Sequence, residues 1–496
     1  MNENKKVIIL GAGISGLSAG VYAAKSGFDV TIMEQHITFG GLSTGWSRKG
    51  YFFEGGMHWL TGSSEKLTLN KIWKETGALQ DNNKIENRDP YYTLIDGDKR
   101  LCMFRDIKKL KKHFIEFAPE DTKMIKRMCR DVLCYQNVHL PVNDVLGLKT
   151  KKHIHPSLWE LIKMAPAGLI LNKLSNMTYI DYVNQFKNEN IRHLLMSAIG
   201  DRYNALSFIY TLASFASGDC GYPDGGSIRM AQNMLDTYKN YGGKIQFKTK
   251  IEKVVVKNGI TKGVQTKDGF IPCDAVIVTQ DARNAIDNLF ESKIEEDWTQ
   301  KMRKNVISEQ NIFISLGVKK DLSDLPYAIV YPLKNPLEFA GCKYNEIRIN
   351  NYAKYKDHSP AGCTSITCLL LGESYSFWKK AKEDGSYSDK KKQLGDLFIE
   401  ALGQFIPEVK TSLEVIDIAT PCTYERYCSS YEGSWMSVWK KGGKQDNYPQ
   451  SLKTIKGVYF AGERIMMPGG LPIAVYTGRR AVQLLCKDTK SFFNVK

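Results

Sequence analysis

The sequence predicts an α/β fold, α+β over the whole chain, on three observations. The first forty residues read as strand, glycine turn, helix and strand. The last forty read as a buried strand ending in Gly462-Glu463, then a glycine-rich turn and a helix. Between these ends the pattern departs twice, to helices through about residue 218 and to mixed strands and helices from about 296 to 449.

Residues 7–10 (VIIL) are apolar on both faces, as a strand inside a parallel sheet requires. Gly11-Ala12-Gly13-Ile14-Ser15-Gly16 follows at once, and residues 17–26 read as a helix. Gly27 stands where such a helix wants its C′ glycine, and 29–33 (DVTIM) read as a second strand closed by Glu34. In this setting Gly11 permits the tight turn, Gly13 lets the backbone approach a pyrophosphate, and Gly16 lets helix and strand pack closely. The unbonded N–H groups and positive dipole end of the helix then face the phosphates. Glu34, 18 residues after Gly16, can accept hydrogen bonds from an adenosine ribose, and its charge disfavours a 2′-phosphate. These features predict a Rossmann-type dinucleotide-binding domain. Residues 7–24 also form 18 uncharged positions behind Lys5 and Lys6, a pattern shared with signal peptides and membrane anchors. Glycines at 11, 13, 16 and 20 lower its hydrophobicity at nucleotide-loop spacing, and the chain runs directly into the second strand.

The chain has 496 residues, 43% hydrophobic and 25% charged, ordinary values for a soluble globular protein of two or three domains. The formal charge of +16 is spread over 108–112, 149–155, 301–304 and 390–392. None of these runs carries a nucleic-acid motif, so a basic surface for anionic lipid, or simply a solvated lysine-rich surface, is expected rather than a nucleic-acid partner. Eleven cysteines lie without CxxC pairs or histidines at zinc spacing, which predicts reduced thiols, no metal, and a cytoplasmic protein, peripheral at the inner face of a membrane where it meets one.

Taken in order, 91–95 and 100–104 read as a strand pair around Asp96-Gly97-Asp98, and 107–117, 123–136 and 159–174 as helices. Within the last, 161–171 (LIKMAPAGLIL) is unusually apolar, flanked by lysines and too short to span a bilayer. It predicts a membrane-interface segment, the lining of a mouth for an apolar substrate, or a core helix broken at Pro166-Ala167-Gly168. Residues 227–241 read as a helix, and 244–247, 251–257, 263–266 and 275–279 as strands. Turns at Asn258-Gly259 and Asp268-Gly269 suit an antiparallel meander, and 275–279 rejoins the parallel sheet. No second GxGxxG occurs, which argues against a second nucleotide domain. Strands at 312–318 and 365–371 and a helix at 390–405 follow. Residues 421–439 hold five aromatics (Tyr424, Tyr427, Tyr431, Trp435, Trp439) without helical periodicity, which suits loop packing or an apolar channel.

The glycine pairs Gly40-Gly41 and Gly55-Gly56 behind the βαβ unit resemble the FAD-binding half of glutathione-reductase-like flavoproteins. With YPDGGSIRMAQNM, PCTYERYCSSYEGSW and YFAGERIMMPGGLPIAVYTGRRAVQL, nearly the whole chain resembles the carotenoid (phytoene) desaturase, carotenoid isomerase and retinol saturase group, within the amine oxidase superfamily. The resemblance implies FAD held by a domain of three pieces (1–85, 220–295, 450–496), and a discontinuous substrate domain (86–219, 296–449). It implies cofactor contacts from Gly11, Gly13, Ile14, Ser15, Gly16, Glu34, Gln35, Gly40, Gly41 and Leu42. Gly56, Met57, His58, Ile251, Gly462, Glu463, Gly470, Leu471, Pro472 and Ile473 complete the set. The group usually has Arg where Leu42 stands, and Arg48 is the nearby candidate to replace it.

The implied function is FAD-dependent redox or isomerisation chemistry on carbon–carbon bonds of a long hydrophobic polyene or isoprenoid. His58, following Gly55-Gly56, is the first candidate for a proton-handling or flavin-adjacent group, ahead of Arg426 and Tyr427, against the alternative of a hydrogen-bonded packing histidine. The absence of a charged pocket motif points to an uncharged substrate. The alternatives are a flavin amine oxidase and a non-catalytic flavin- or lipid-binding protein.

Overall fold

The computed structural model describes residues 5–155, 158–439 and 447–496; the side chains of Ser437 and Trp439 lie outside that description. Five parallel strands form one sheet, in the order Val458–Phe460, Ala275–Val278, Lys6–Leu10, Asp29–Met33, Lys244–Gln246. The sheet thus draws its strands from three sequence-distant stretches. Alternation of side chains assigns its two faces. Val7, Ile9, Val30, Ile32 and Ile277 face a core shared with the helices Ile14–Lys25, Gly226–Asn240 and Gly470–Thr489. Ile8, Leu10, Val276, Val278 and Phe460 face a second core. That core is capped by the antiparallel meander Ile251–Lys257, Ile260–Thr266 and Gly269–Pro272. The strand Lys244–Gln246 belongs to the parallel sheet rather than to this meander.

A seven-stranded sheet runs in the order Leu413–Ala419, Asn311–Val318, Thr364–Leu371, Cys342–Asn351, Ala328–Phe339, Tyr92–Asp96, Lys99–Met103. Its apolar residues Ile312, Ile314, Ile347, Ile349, Cys368 and Leu370 pack under Trp378, Leu394 and Phe398 from the helices Tyr375–Glu383 and Tyr387–Leu402. Beside this sheet stands a helical layer that includes Ile107–Phe117, Thr122–Tyr135 and Ala205–Ala216.

Two further expectations change. Residues 421–428 are helical, as Pro421–Cys428, despite the lack of apolar periodicity. Thr420 and Thr423 close a capping box and Pro421 sits in the first turn, so local end signals override the pattern. The apolar segment 161–171 belongs to a continuous helix, Leu158–Ser175, that Pro166 does not break. It is not a core helix. Only Ala167 and Leu174 are buried, while Leu158, Trp159, Leu161, Ile162 and Leu169 are exposed, the last at 87%. No helix among the described residues is long and apolar enough to cross a membrane.

Candidate active site

One cavity of about 440 Å³ extends from the glycine turn at the head of the parallel sheet to the face of the seven-stranded sheet. At its first end the helix Ile14–Lys25 begins at Gly13 with no side-chain cap and no acidic residue in its first turn. Its first N–H groups have no intrahelical acceptor, which makes them donors for an anion. The glycines divide their work as the spacing predicts. A Cβ on Gly16 would lie 2.0 Å from Gly11 O, so Gly16 is required by the fold itself. A Cβ on Gly13 would meet the protein only at 3.9 Å, so what Gly13 keeps clear is space in the cavity.

Glu34 is buried at the same end, accepting from the Ala12 N–H (2.8 Å) and the His36 N–H (2.9 Å). Gln35 Nε2 donates to Tyr427 O (3.1 Å), and the Tyr427 ring lies 4.6 Å from His36. Tyr427 therefore belongs to the Glu34 end of the cavity, and Arg426, over the Tyr427 ring at 4.5 Å, is not on the cavity wall. Neither side chain is packed against His58. Arg48 does not replace the missing arginine at Leu42. It is exposed and paired with Asp417 (3.2 Å), whereas Lys250, behind Thr249 on Glu34 O, lines the cavity.

The glycine-rich loop 55–58 is fixed by a residue the sequence reading did not single out. The Glu54 carboxylate is buried and accepts from the N–H groups of Gly56 (2.9 Å), Met57 (3.2 Å) and Ser227 (2.9 Å). It also accepts from Tyr222 Oη (3.0 Å) and Ser227 Oγ. Ser227 opens the helix Gly226–Asn240, so Glu54 supplies the negative charge that helix start lacks. The motifs FEGGMH and YPDGGS are thus two halves of one structure. Gly226 must be glycine because a Cβ would lie 2.1 Å from Glu54 Oε2. Burial raises the Glu54 carboxyl above its usual range, opposed by its donors.

His58 ends this loop and lines the cavity. Arg88 Nη1 donates to its carbonyl (3.0 Å), and Asn350 Nδ2 lies 3.0 Å from its Nδ1. An amide nitrogen only donates, so Nδ1 accepts and the ring proton sits on Nε2. Burial, then the cations Arg348 and Arg88, push the imidazole well below its ordinary pKa. His58 is a neutral hydrogen-bonding group, not a reservoir of positive charge.

The far half of the cavity is mostly apolar. Trp59, edge-on to the neighbouring rings of Tyr91 and Phe215, walls it together with Ile199, Leu369, Leu371, Trp435 and Met436. Alternation on the neighbouring strands Cys342–Asn351 and Thr364–Leu371 turns Arg348, Leu369 and Leu371 to the cavity, Asn350 on the same face to His58, and Ile347, Ile349, Cys368 and Leu370 to the core. Arg348 corrects the expectation of an uncharged pocket. The polar–apolar alternation of EIRIN, 346–350, was its signal in the sequence. Of the aromatics in 421–439, Tyr424, Tyr427 and Trp435 line the cavity, Tyr431 lies under Arg283 instead (4.6 Å), and the Trp439 side chain lies outside the described residues.

The remaining sequence candidates also have definite places. Gly11, Ile14, Ser15, Gly40, Gly41, Leu42, Gly56, Met57, Ile251, Gly462, Glu463, Gly470, Leu471 and Pro472 line the cavity. Gly16 and Ile473 do not: Gly16 sits against Gly11, and Ile473 is wholly buried. Among the described residues no cluster of His, Cys, Asp or Glu could hold a metal ion. The uncapped helix, the open space at Gly13 and the buried Glu34 fit the pyrophosphate and ribose of FAD. The loops 56–58 and 469–472 are then left to hold the flavin.

A family model described as flavin containing amine oxidoreductase matches residues 14–486. The chain is 22% identical to a 4,4′-diapophytoene desaturase (4,4′-diapolycopene-forming) of Methylomonas sp, over 99% of this chain and 97% of that one. It is 25% identical to the all-trans-retinol 13,14-reductase of Danio rerio, over 94% and 84%. Its fold is similar to the crystal structure of an oxidoreductase from Methanosarcina mazei, with TM-score 0.58, 18% identity, and coverage of 95% of this chain and 98% of that one.

Proposed function

The chain belongs to the flavin containing amine oxidoreductase family, and on that premise we propose that it acts on carbon–carbon bonds of a long hydrophobic polyene or isoprenoid, by desaturation, saturation or isomerisation. It is an FAD-dependent oxidoreductase. FAD, when bound, supplies the hydride chemistry. The chain's residues bind and orient it through the glycine turn, Glu34 and the loops 56–58 and 469–472. They hold the substrate chain between Trp59, Trp435 and Leu371 and exclude water from it.

The observation that carries this reading is the apolar half-cavity, continuous with the nucleotide end and floored by a sheet. An extended hydrocarbon gains affinity there from buried area, about 25 cal/mol per Å². The relatives named for polyene and retinol chemistry support the same reading. The charge beside His58 opposes an ammonium substrate, since Arg348 and Arg88 are both cations. The test is anaerobic incubation of the holoenzyme with polyenes and with small amines, followed by flavin absorbance and product mass. Flavin reduction or altered double bonds with polyenes supports the reading; rapid reduction by a small amine with no response to any apolar chain overturns it.

A second reading concerns where the substrate comes from. The exposed helix Leu158–Ser175 packs on the helix Ala205–Ala216, which carries Ser207, Tyr210 and Thr211 on the cavity wall. With Lys163, Lys173 and the basic run 149–155 around it, this helix suits an anionic membrane surface that holds an apolar substrate. Flotation with anionic vesicles that weakens in salt supports this, and no flotation on any vesicle removes it.

A further inference from the structure

Arg348 is a half-buried charge that the reading above leaves without a ligand. It lies on the strand Cys342–Asn351, two residues before the Asn350 that meets His58, and lines the apolar half of the cavity. A guanidinium carries five N–H donors and stays charged. Arg348 Nη1 donates to Tyr92 Oη (3.0 Å) and Ser197 O (2.9 Å), which fixes one end of the group. Nε and Nη2 find no acceptor among the described residues, and both remain accessible where the side chain borders the cavity. No carboxylate among the described residues pairs with it. The other cations of the wall are accounted for differently. Arg464 is paired with Asp281 (3.0 Å), and Lys250 stands at the Glu34 end.

The free edge formed by Nε and Nη2 presents two parallel N–H donors, the side of a guanidinium that matches both oxygens of a carboxylate. The groups around it set the rest of the ligand. Leu369 and Leu371 share its sheet face, and Trp59 and Trp435 stand on the same wall. A cation with an open bidentate edge inside an apolar cavity calls for an anion on an apolar body, because an unpaired charge removed from bulk water is costly. The helix start at Gly470 already places a positive dipole end on the cavity wall near the expected flavin site, leaving Arg348, across on the sheet, for the substrate.

We propose that Arg348 is a substrate-binding residue that holds the carboxylate of an amphipathic substrate, an unsaturated chain ending in a carboxylic acid, with the chain lying along Leu369, Leu371 and Trp435. This rests on the polyene reading and narrows it from a hydrocarbon to an acid.

The test compares a linear polyenoic acid with its methyl ester and with the parent hydrocarbon. Binding to the FAD-loaded enzyme is followed by tryptophan quenching and by perturbation of the flavin spectrum, and turnover by product mass. The acid is expected to bind at least tenfold more tightly than its ester. In Arg348→Gln that preference should fall to about one, with Arg348→Lys in between. Equal binding of acid and ester by the wild-type protein overturns the proposal without reference to any variant, so misfolding of Arg348→Gln cannot shelter it. A shifted flavin reduction potential in Arg348→Gln with the acid preference intact also overturns it and gives Arg348 to the cofactor. Turnover of the neutral hydrocarbon without acid preference sinks the carboxylate site but keeps the polyene reading. Tight, Arg348-dependent acid binding with no polyene altered does the reverse.

Discussion

Replacing Glu54 by Gln tests whether one buried carboxylate organises the flavin-side loop. Its Oε1 serves Gly56 N–H, Met57 N–H and Ser227 Oγ, and its Oε2 serves Ser227 N–H and Tyr222 Oη. A glutamine can keep its amide oxygen on the first three. Its NH2 then faces two donors, of which Tyr222 can turn to accept and the Ser227 N–H cannot. One buried N–H left unbonded costs about 1–3 kcal/mol, and the retained bonds lose their charge assistance, for a total of roughly 2–4 kcal/mol. Glu54→Ala strands every donor and costs more, while Tyr222→Phe removes one neutral donor and costs about 1 kcal/mol. Because these groups fix Gly56 to His58, the loss should appear as weaker FAD binding as well as a lower melting temperature. With tenfold per 1.4 kcal/mol, FAD affinity should fall by up to about thirtyfold to several hundredfold in Glu54→Gln. Equilibrium dialysis of FAD and thermal unfolding of apo and loaded protein measure both. FAD affinity within twofold of wild type and an unchanged melting temperature would refute the reasoning.

The two glycines of the turn should separate fold from cofactor. Gly16→Ala drives a Cβ into Gly11 O and should destabilise even the apoprotein, by about 1–3 kcal/mol or more, whereas Gly13→Ala should leave apoprotein melting near wild type and lower FAD content. Since His58 is held neutral by burial and by Arg348 and Arg88, the pH–rate profile should show no histidine ionisation between about pH 6 and 8, and a rise of activity through that window in wild type but not His58→Gln would contradict it. Burial raises the Glu309 carboxyl to about 7. A raised acid stabilises the fold most below its unfolded pKa, so stability should fall as pH climbs through about 7, by roughly 3 kcal/mol in all. Glu309→Gln should flatten that fall in melting temperature between pH 5 and 8; an equal slope in both proteins would reject it.

The nucleotide end was legible because its requirements are local. Gly11, Gly13, Gly16 and Glu34 sit within one βαβ unit, and each answers to a turn, a close approach or a strand end that spacing alone specifies. The exposed helix Leu158–Ser175 was half legible. Its apolar composition was plain, but a helix apolar all round has no face to read, so burial could not be told from exposure. The positions of Arg426 and Tyr427 were not legible for a related reason. Their order in the chain gave no hint that the helix Pro421–Cys428 docks beside His36, which puts Tyr427 at the Glu34 end of the cavity.

The sequence by itself determined the fold class and the dinucleotide turn, because glycine spacing and strand composition act within a few residues of each other, while the resemblance of motifs spread along the chain pointed to FAD and the family. The tertiary structure decided the chemistry of the pocket. Glu54 meets Ser227 across 173 residues, and Asn350 meets His58 across 292. Arg348 enters an apolar cavity only because the alternation of its strand turns it away from the core that Ile347 and Ile349 fill. Such partners are chosen by how the sheets and helices pack, and no short-range pattern in the chain encodes that choice.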